Sequence, residues 1–416
     1  MKILLVVTNF IPEIGSAAHI YFDLAKAFVK RGHEVDVITS YPRKFYLDKK
    51  DLNKNFLLEE TIDGIGVHRC KHHAKRDNIV LRGLEHFLLP KYYFKTYRQI
   101  GKKFDACLIY IPPLPLYYFA KRIKRYDGTP SVLNYQDFHP QELTDVGVMK
   151  NRLMIKIMEH IEKESYKNAD YITVLSKGGV DYAVKKGGDP NKIKHIYNGV
   201  LLSDFEKDLT KKDFKNKEGI ENKFLISYAG ILSPFQGIDN VLDATKKLSN
   251  YEDLIFYIVG DGMLKNHLEH RSRDEKISNV RLLPLQPRDE YFNIINSSDI
   301  SIVSLDSRMK APCLPGKLIN LLAVKQPIIS IAPHESETAR VIQNANCGIV
   351  VEPKNIEELK KAILKLKDNP ELRKDFGESG RKFLDENMNL EKNVTKYEEV
   401  FGMMGKGGEG HIYKDV

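Results

Sequence analysis

The chain has 416 residues, more than one hydrophobic core comfortably holds, so two domains are expected. With 42% hydrophobic and 29% charged residues and no low-complexity block, its composition excludes a disordered or fibrous protein. The net charge of +9 is uneven: residues 1–200 carry 33 Lys and Arg against 22 Asp and Glu, the remainder 32 against 34, so only the first half favours an anionic partner.

Only five apolar residues, Ile3 to Val7, follow the amino-terminal Met-Lys, too few for a signal-peptide core. KILLVV reads instead as a buried parallel strand. From Ser16 to Lys30, Ala18, Tyr21, Phe22, Ala25 and Phe28 recur at helical spacing, and Glu34 to Ile38 is the next strand. That is a βαβ unit, whose ligand crevice lies at the carboxyl ends of the strands and therefore at Gly15. A plain turn glycine is the alternative. Gly15 belongs to no Gly-x-Gly-x-x-Gly pattern, which argues against a dinucleotide site.

Residues 78–104 mix Lys and Arg with aromatic and leucine positions around Pro90, a pattern that suits an anionic lipid interface or, equally, a core-facing helix with a solvated basic face. No recognised nucleic-acid module frames this patch, so no nucleic-acid partner is expected. CLIYI (107–111) and SVLNY (131–135) are further strands, and prolines interrupt the apolar run from Cys107 to Ala120 before it could span a membrane. QDFHPQEL follows the second of them, placing Asp137, His139 and Glu142 at the carboxyl end of a parallel strand. A histidine there could act as a base oriented by a carboxylate, or these groups could simply cap a turn. A long helix (151–169), YITVLS (171–176) and KHIYNGV (194–200) complete the first series.

The polar stretch 201–222 reads as an interdomain link. A second α/β series follows: FLISYAG (224–230), LIFYIVGDG (254–262), VRLLPL (280–285), ISIVSL (300–305), PIISIA (327–332) and GIVVE (348–352). Gly230 and Gly260 lie in its strand-to-helix turns. Pro315-Gly316 precede a short helix opened by Lys317, where a cation calls for an anion such as phosphate; a surface lysine is the alternative. Residues 223–378 form the expected second domain and 379–416 a helical region ending in a frayed tail. The cysteines at 70, 107, 313 and 347 make no Cys-x-x-Cys and suggest neither a disulfide framework nor a zinc site, so a reducing compartment is expected.

Two sequential Rossmann-like domains with a late helical region resemble the GT-B glycosyltransferase architecture. PEIGSAAHIYFDLAKAFVKRGHEVDVIT is similar to the opening of family-4 nucleotide-sugar transferases, with Gly15-Ser16 where many relatives carry Gly-Gly. Residues 171–200, ending Asn198-Gly199-Val200, and VGDG with residues 336–363 carry the resemblance onward. The family's two glutamates correspond to Pro312 and Asn320, and its usual Arg and Lys to Ile231 and Gln236. These departures, with QDFHPQEL and Pro-x-Lys, resemble the branch of bacterial fucosamine-type surface-polysaccharide transferases.

The resemblance implies an α/β fold of two doubly wound domains facing across a cleft, residues 1–200 and 223–378, with the C-terminal helix returning to the first. It implies retaining transfer of a sugar, hexosyl or N-acetylaminosugar, from a nucleotide-diphosphate sugar to a lipid-linked saccharide, without metal or other cofactor. Its donor-binding positions are Gly15, Ser16, Gly230, Gln236, Gly260, Lys310, Gly316, Lys317, Asn320 and Glu337, with Lys317 and Lys310 neutralising the diphosphate. Asp137 and His139 are the catalytic candidates. A cytoplasmic protein, peripheral on an anionic membrane face, fits that reading. A nucleotide-sugar 2-epimerase of the same fold, or a non-catalytic nucleotide-sugar-binding protein, are the alternatives.

Overall fold

The structure is a computed structural model that describes residues 1–43, 47, 51–71, 79–201 and 213–406. Asn78 of the basic segment, most of the expected link (202–212) and the tail from 407 lie outside the described residues. The chain divides into two compact units. The first comprises residues 1–140, 149–200 and 390–416, and the second 141–148 and 201–389.

In the first unit β1 (Lys2–Val6) leads through α1 (Ser16–Lys30) to β2 (Glu34–Ser40). Next come β3 (Glu59–Ile62), β4 (Ile65–Cys70), α2 (Ile79–Ile100), β5 (Ala106–Ile111), a 3-10 turn (Leu114–Leu116), α3 (Tyr117–Asp127) and β6 (Ser131–Tyr135). The short α4 (Gln141–Asp145) counts with the second unit, after which α5 (Arg152–Asn168), β7 (Tyr171–Val174), α6 (Lys177–Lys185) and β8 (Ile193–His195) return to the first. The strands form one sheet in the order β3-β4-β2-β1-β5-β6-β7-β8, parallel except where β3 runs against β4. From β1 the chain moves to β2 on one side, and from β4 it crosses through α2 to β5 on the other, so the carboxyl ends of β1 and β5 form a topological switch point. Helix α1 starts there, burying four of the expected residues, Ala18, Tyr21, Ala25 and Phe28, while Phe22 is half-buried and Leu24 is buried in addition.

The second unit holds α7 (Phe214–Glu218), β9 (Phe224–Ala229), α8 (Asp239–Lys247), β10 (Leu254–Val259), α9 (Lys265–Asp274), β11 (Val280–Leu283), α10 (Arg288–Ser297) and β12 (Ile300–Ser304). It continues with α11 (Lys317–Ala323), β13 (Ile328–Ile331), α12 (Glu337–Ala345), β14 (Gly348–Val351), α13 (Ile356–Lys367) and α14 (Pro370–Asn387). Its six strands are ordered β11-β10-β9-β12-β13-β14, so the switch point lies at β9 and β12. Apolar residues on one face of β9 (Ile226, Tyr228) and β10 (Leu254, Phe256, Ile258) pack with α8 and α13 into one core.

Helix α14 stays with the second unit, and α15 (Leu390–Lys406) packs on α1 of the first. The return begins at Asn198-Gly199-Val200, where a Cβ on Gly199 would stand 2.7 Å from the Cα of Leu390. Backbone contact this close leaves no room for a side chain, which accounts for the glycine in that motif.

Candidate functional site

The carboxyl end of β9 carries the densest group of predicted positions. Gly230 follows the strand at φ 154°, and a Cβ there would meet Lys317 Nζ at 2.6 Å. Gly260, after β10, packs so closely on the Gly230 carbonyl that a Cβ would come within 1.9 Å of its oxygen. Two glycines thus bring two loops together and leave a seat for one lysine.

That lysine is held by what surrounds it. Lys317 Nζ lies 3.8 Å from the centre of the Tyr228 ring, a cation–π contact. It also donates to Gln236 Oε1 at 3.2 Å, an oxygen equally within reach of the Tyr228 hydroxyl at 3.2 Å. No carboxylate pairs with Lys317 among the described residues. Burial consequently pushes its ammonium down to about 7, with the Cys313 thiol opposing that fall. A half-buried cation with no counter-ion among the described residues could accept an anion. Gly316 caps α11, but that helix is only seven residues long, so the lysine charge rather than the helix end dominates.

The other second-unit positions have structural partners. Asn320 Nδ2 reaches the Tyr291 hydroxyl at 3.4 Å, from the exposed side of α11. Glu337 is buried in the first turn of α12, where Arg340 binds its carboxylate, so its charge is already matched. Lys310 has an exposed side chain, and its backbone N–H donates to Asp145 at 2.8 Å. Tyr228 was not singled out from sequence because a tyrosine in FLISYAG reads as core, and it is indeed 1% exposed.

In the first unit Gly15 caps α1 without a side-chain hydrogen bond, and nothing lies within 4 Å of where its Cβ would be. Ser16, the first residue of α1, is exposed. The loop before the helix is fixed by Glu13, 1% exposed, whose Oε1 accepts from the Arg43 backbone N–H at 3.0 Å and from Arg43 Nε at 3.2 Å. This pair was missed because its members are thirty residues apart.

Asp137 and His139 follow β6 on a rigid turn. Gln136 is tied to Asn198 by paired amide hydrogen bonds of 3.0 and 2.6 Å, and Phe138 packs on Tyr135 and edge-on to Tyr182. Asp137, between these anchors, and His139, just after them, are half-buried. Burial raises the Asp137 carboxyl to about 6. It also lowers the His139 imidazole to about 4, reinforced by nearby His86. Near neutral pH this places an ionised carboxylate of enhanced basicity two residues from a neutral imidazole. Glu142 is buried in α4.

Residues 15–199 match the family described as Glycosyl transferase 4-like domain, and residues 210–383 match Glycosyl transferases group 1. Together they span nearly the whole chain. The protein is a glycosyltransferase of the GT-B fold.

Among relatives of this glycosyltransferase, the putative colanic acid biosynthesis glycosyl transferase WcaI of Escherichia coli is 25% identical over 86% of this chain and 90% of its own. The UDP-Gal:alpha-D-GlcNAc-diphosphoundecaprenol alpha-1,3-galactosyltransferase of Escherichia coli is 27% identical over 51% of this chain and 54% of its own. Among solved structures, Anabaena HepE in complex with UDP and glucose superposes with a TM-score of 0.73 at 15% identity, covering 97% of this chain and all of that one. The first of these relatives is named for colanic acid biosynthesis, and the second for transfer to a diphosphoundecaprenol-linked sugar. The fucosamine-type branch is narrower than these matches resolve.

Proposed function

We propose that this glycosyltransferase transfers a sugar, with retention at the anomeric carbon, from a nucleotide-diphosphate sugar to a lipid-linked saccharide of a surface polysaccharide. The observation that carries the donor half is Lys317: a cation seated between Gly230, Tyr228 and Gln236 with no carboxylate partner among the described residues. The diphosphate leaving group would supply the missing negative charge, and the lysine would stabilise that charge as it develops during departure. Lys310, Gly316 and the Gly230–Gly260 pair would line the same anion, Asn320 would meet ribose hydroxyls, and Gly15 and Ser16 would admit phosphate or sugar at the first unit. Asp137, with His139, would act on the acceptor hydroxyl. The UDP and glucose of HepE and the diphosphoundecaprenol in the galactosyltransferase's name support the two substrate classes. A basic α2 face would hold the enzyme at an anionic membrane surface on the cytoplasmic side.

A panel of nucleotide sugars screened by thermal shift identifies the donor, since a ligand at 100 Kd stabilises by about 2.7 kcal/mol. Lys317→Ala should then weaken nucleoside-diphosphate binding by about 1.5–3 kcal/mol, the scale of a charge-assisted hydrogen bond. Because the free ammonium is held near 7 and a bound diphosphate raises it, binding should take up a proton between pH 7 and 9. Affinity should fall as pH rises through that window. Calorimetry in buffers of different ionisation enthalpy reads both effects, and unchanged affinity in Lys317→Ala would remove the lysine from the site. Pro312 and Asn320 stand where the family has glutamates, which favours the binding-only reading as the rival. Donor binding without transfer or hydrolysis would establish that rival, whereas an isomerised sugar formed from donor alone would indicate a 2-epimerase.

A further inference from the structure

The amino-terminal half of α5 exposes apolar side chains that no packing explains. Leu153 is 70% exposed and Ile157, one turn on, is 39% exposed. Both lie on the solvent arc of α5 with Arg152, Lys156, His160 and Lys163, and Lys150 just precedes the helix. Met158, Ile161, Ser165 and Tyr166 on the opposite arc are buried, so the helix is fully docked without Leu153 and Ile157. Asn151 fixes its start, accepting from the Leu153 and Met154 N–H groups at 3.0 Å each.

The same layer of the first unit carries a second such face. The 3-10 turn Leu114–Leu116 packs against both α2 and α5, and α3 packs against α2. Along α2, Leu88 is 50% exposed and shares the outer face with Lys91, Lys95 and Arg98, while Leu89, Tyr93 and Tyr97 point inward. Tyr126 of α3, 56% exposed, lies under the Arg98 guanidinium. Among the described residues, Lys91, Lys95, Arg98, Arg152 and Lys156 pair with no carboxylate, although Glu85 and Glu159 lie on the same two helices. No described helix is long and apolar enough to cross a membrane.

We propose that the α5 face of Leu153, Ile157, Arg152 and Lys156 is a membrane-insertion surface for anionic lipid, acting together with the Leu88–Lys91–Lys95 face of α2. This rests on the peripheral-membrane reading above and deepens it by naming the side chains that enter the lipid. Exposed aliphatic groups flanked by unpaired cations suit an interface in which CH2 groups enter the acyl boundary while Lys and Arg meet phosphates. A protein partner would satisfy the apolar pair equally, but not so much unpaired positive charge on two helices that pack on the same 3-10 turn. The surface therefore commits to lipid phosphate.

Co-sedimentation with phosphatidylglycerol–phosphatidylcholine vesicles, without donor or acceptor, tests it. The full chain should bind these vesicles and not pure phosphatidylcholine. Leu153→Ser with Ile157→Ser should weaken binding by about tenfold or more, through lost CH2 insertion. Arg152→Gln with Lys156→Gln should weaken it too and flatten its salt dependence. Both variants alter exposed positions, so their melting temperatures should match the parent. Full binding by the serine variant, equal binding to neutral vesicles or no binding at all would each overturn the proposal. So would a parent dimer that the serine variant converts to monomer, since that assigns the face to self-association. Nucleoside-diphosphate calorimetry in parallel keeps the two readings separate: lost vesicle binding with intact donor binding sinks only this surface, and the converse sinks only the donor site.

Discussion

Asp137 and His139 are two residues apart, yet burial moves them in opposite directions along the pH scale. The carboxyl is raised to about 6 and the imidazole lowered to about 4. A base is useful when its pKa lies just below the working pH, so in this proposal Asp137 is the better proton acceptor and His139 a neutral hydrogen-bonding partner. Asp137→Asn should lower kcat far more than it changes donor affinity, as expected for a group acting in the transition state. Rates for the parent enzyme should fall as pH drops through about 6, where the carboxylate protonates. A flat profile from pH 5 to 8, or an unchanged kcat in Asp137→Asn, would remove it from the chemistry. At this scale the sequence showed which side chains were chemically unusual: Lys317 after Pro-Gly, and QDFH after a strand. It could not show that Tyr228 and Gln236 enclose the lysine, because those contacts depend on β9 and α11 being brought together from about ninety residues apart. Nor could it rank Asp137 over His139, which depends on burial.

Most elements were legible because parallel strands buried on both faces read as apolar runs, as KILLVV and LIFYIV do. The β3–β4 hairpin was not. Strand β3 is the sheet edge and alternates exposed with half-buried residues, so no apolar run marks it. Its partner β4 supports a buried charge centre. Asp36 on β2, 2% exposed, accepts from His68 Nε2 at 2.8 Å and from Lys102 Nζ at 3.2 Å. Burial alone would raise this carboxyl, but the His68 and Lys102 hydrogen bonds outweigh it and hold it below the usual range. A carboxylate depressed in the folded state stabilises above its unfolded pKa, and that contribution is lost as pH falls through the folded value. Melting curves should therefore show Asp36→Asn destabilised by about 1–3 kcal/mol at pH 7. The difference from the parent should shrink below about pH 4, where an unfolded carboxyl protonates. An equal deficit at pH 3 and pH 7 would show that amide packing, not charge, is responsible.

At the scale of the molecule, the first unit is discontinuous in sequence and closes only when residues 390–406 arrive. Helix α15 buries Val394, Tyr397, Val400 and Phe401 against it, with Phe401 5.8 Å from Phe28 between ring centres. Tyr397 also receives a 3.1 Å hydrogen bond from Asn134, the amide that binds Thr173 and Tyr21. At the α1 terminus Arg31 pairs with Glu398 and donates to the Glu391 carbonyl at 3.0 Å, and His33 reaches Glu398 at 2.8 Å. Residues 377–401 read as one helical region from sequence, and the resemblance implied a return to the first domain; the break after Asn387 and the packing of α15 on α1 show only in the structure. These contacts make α15 part of the first core rather than an appendage. Phe401→Ala should cost about 3–5 kcal/mol, the range for an aromatic deleted from a packed core. For a unit of this size that is about 2–4 °C of melting temperature per kcal/mol. Nucleoside-diphosphate binding, measured well below the transition, should be unaffected, because Gly230, Gln236 and Lys317 all belong to the second unit. Tyr397→Phe keeps the ring and loses the hydroxyl that accepts from Asn134, so about 1 kcal/mol is expected. A Phe401→Ala protein that melts with the parent would show that α15 lies loosely on α1. One that lost diphosphate binding while still folded would show that the donor site depends on the first core.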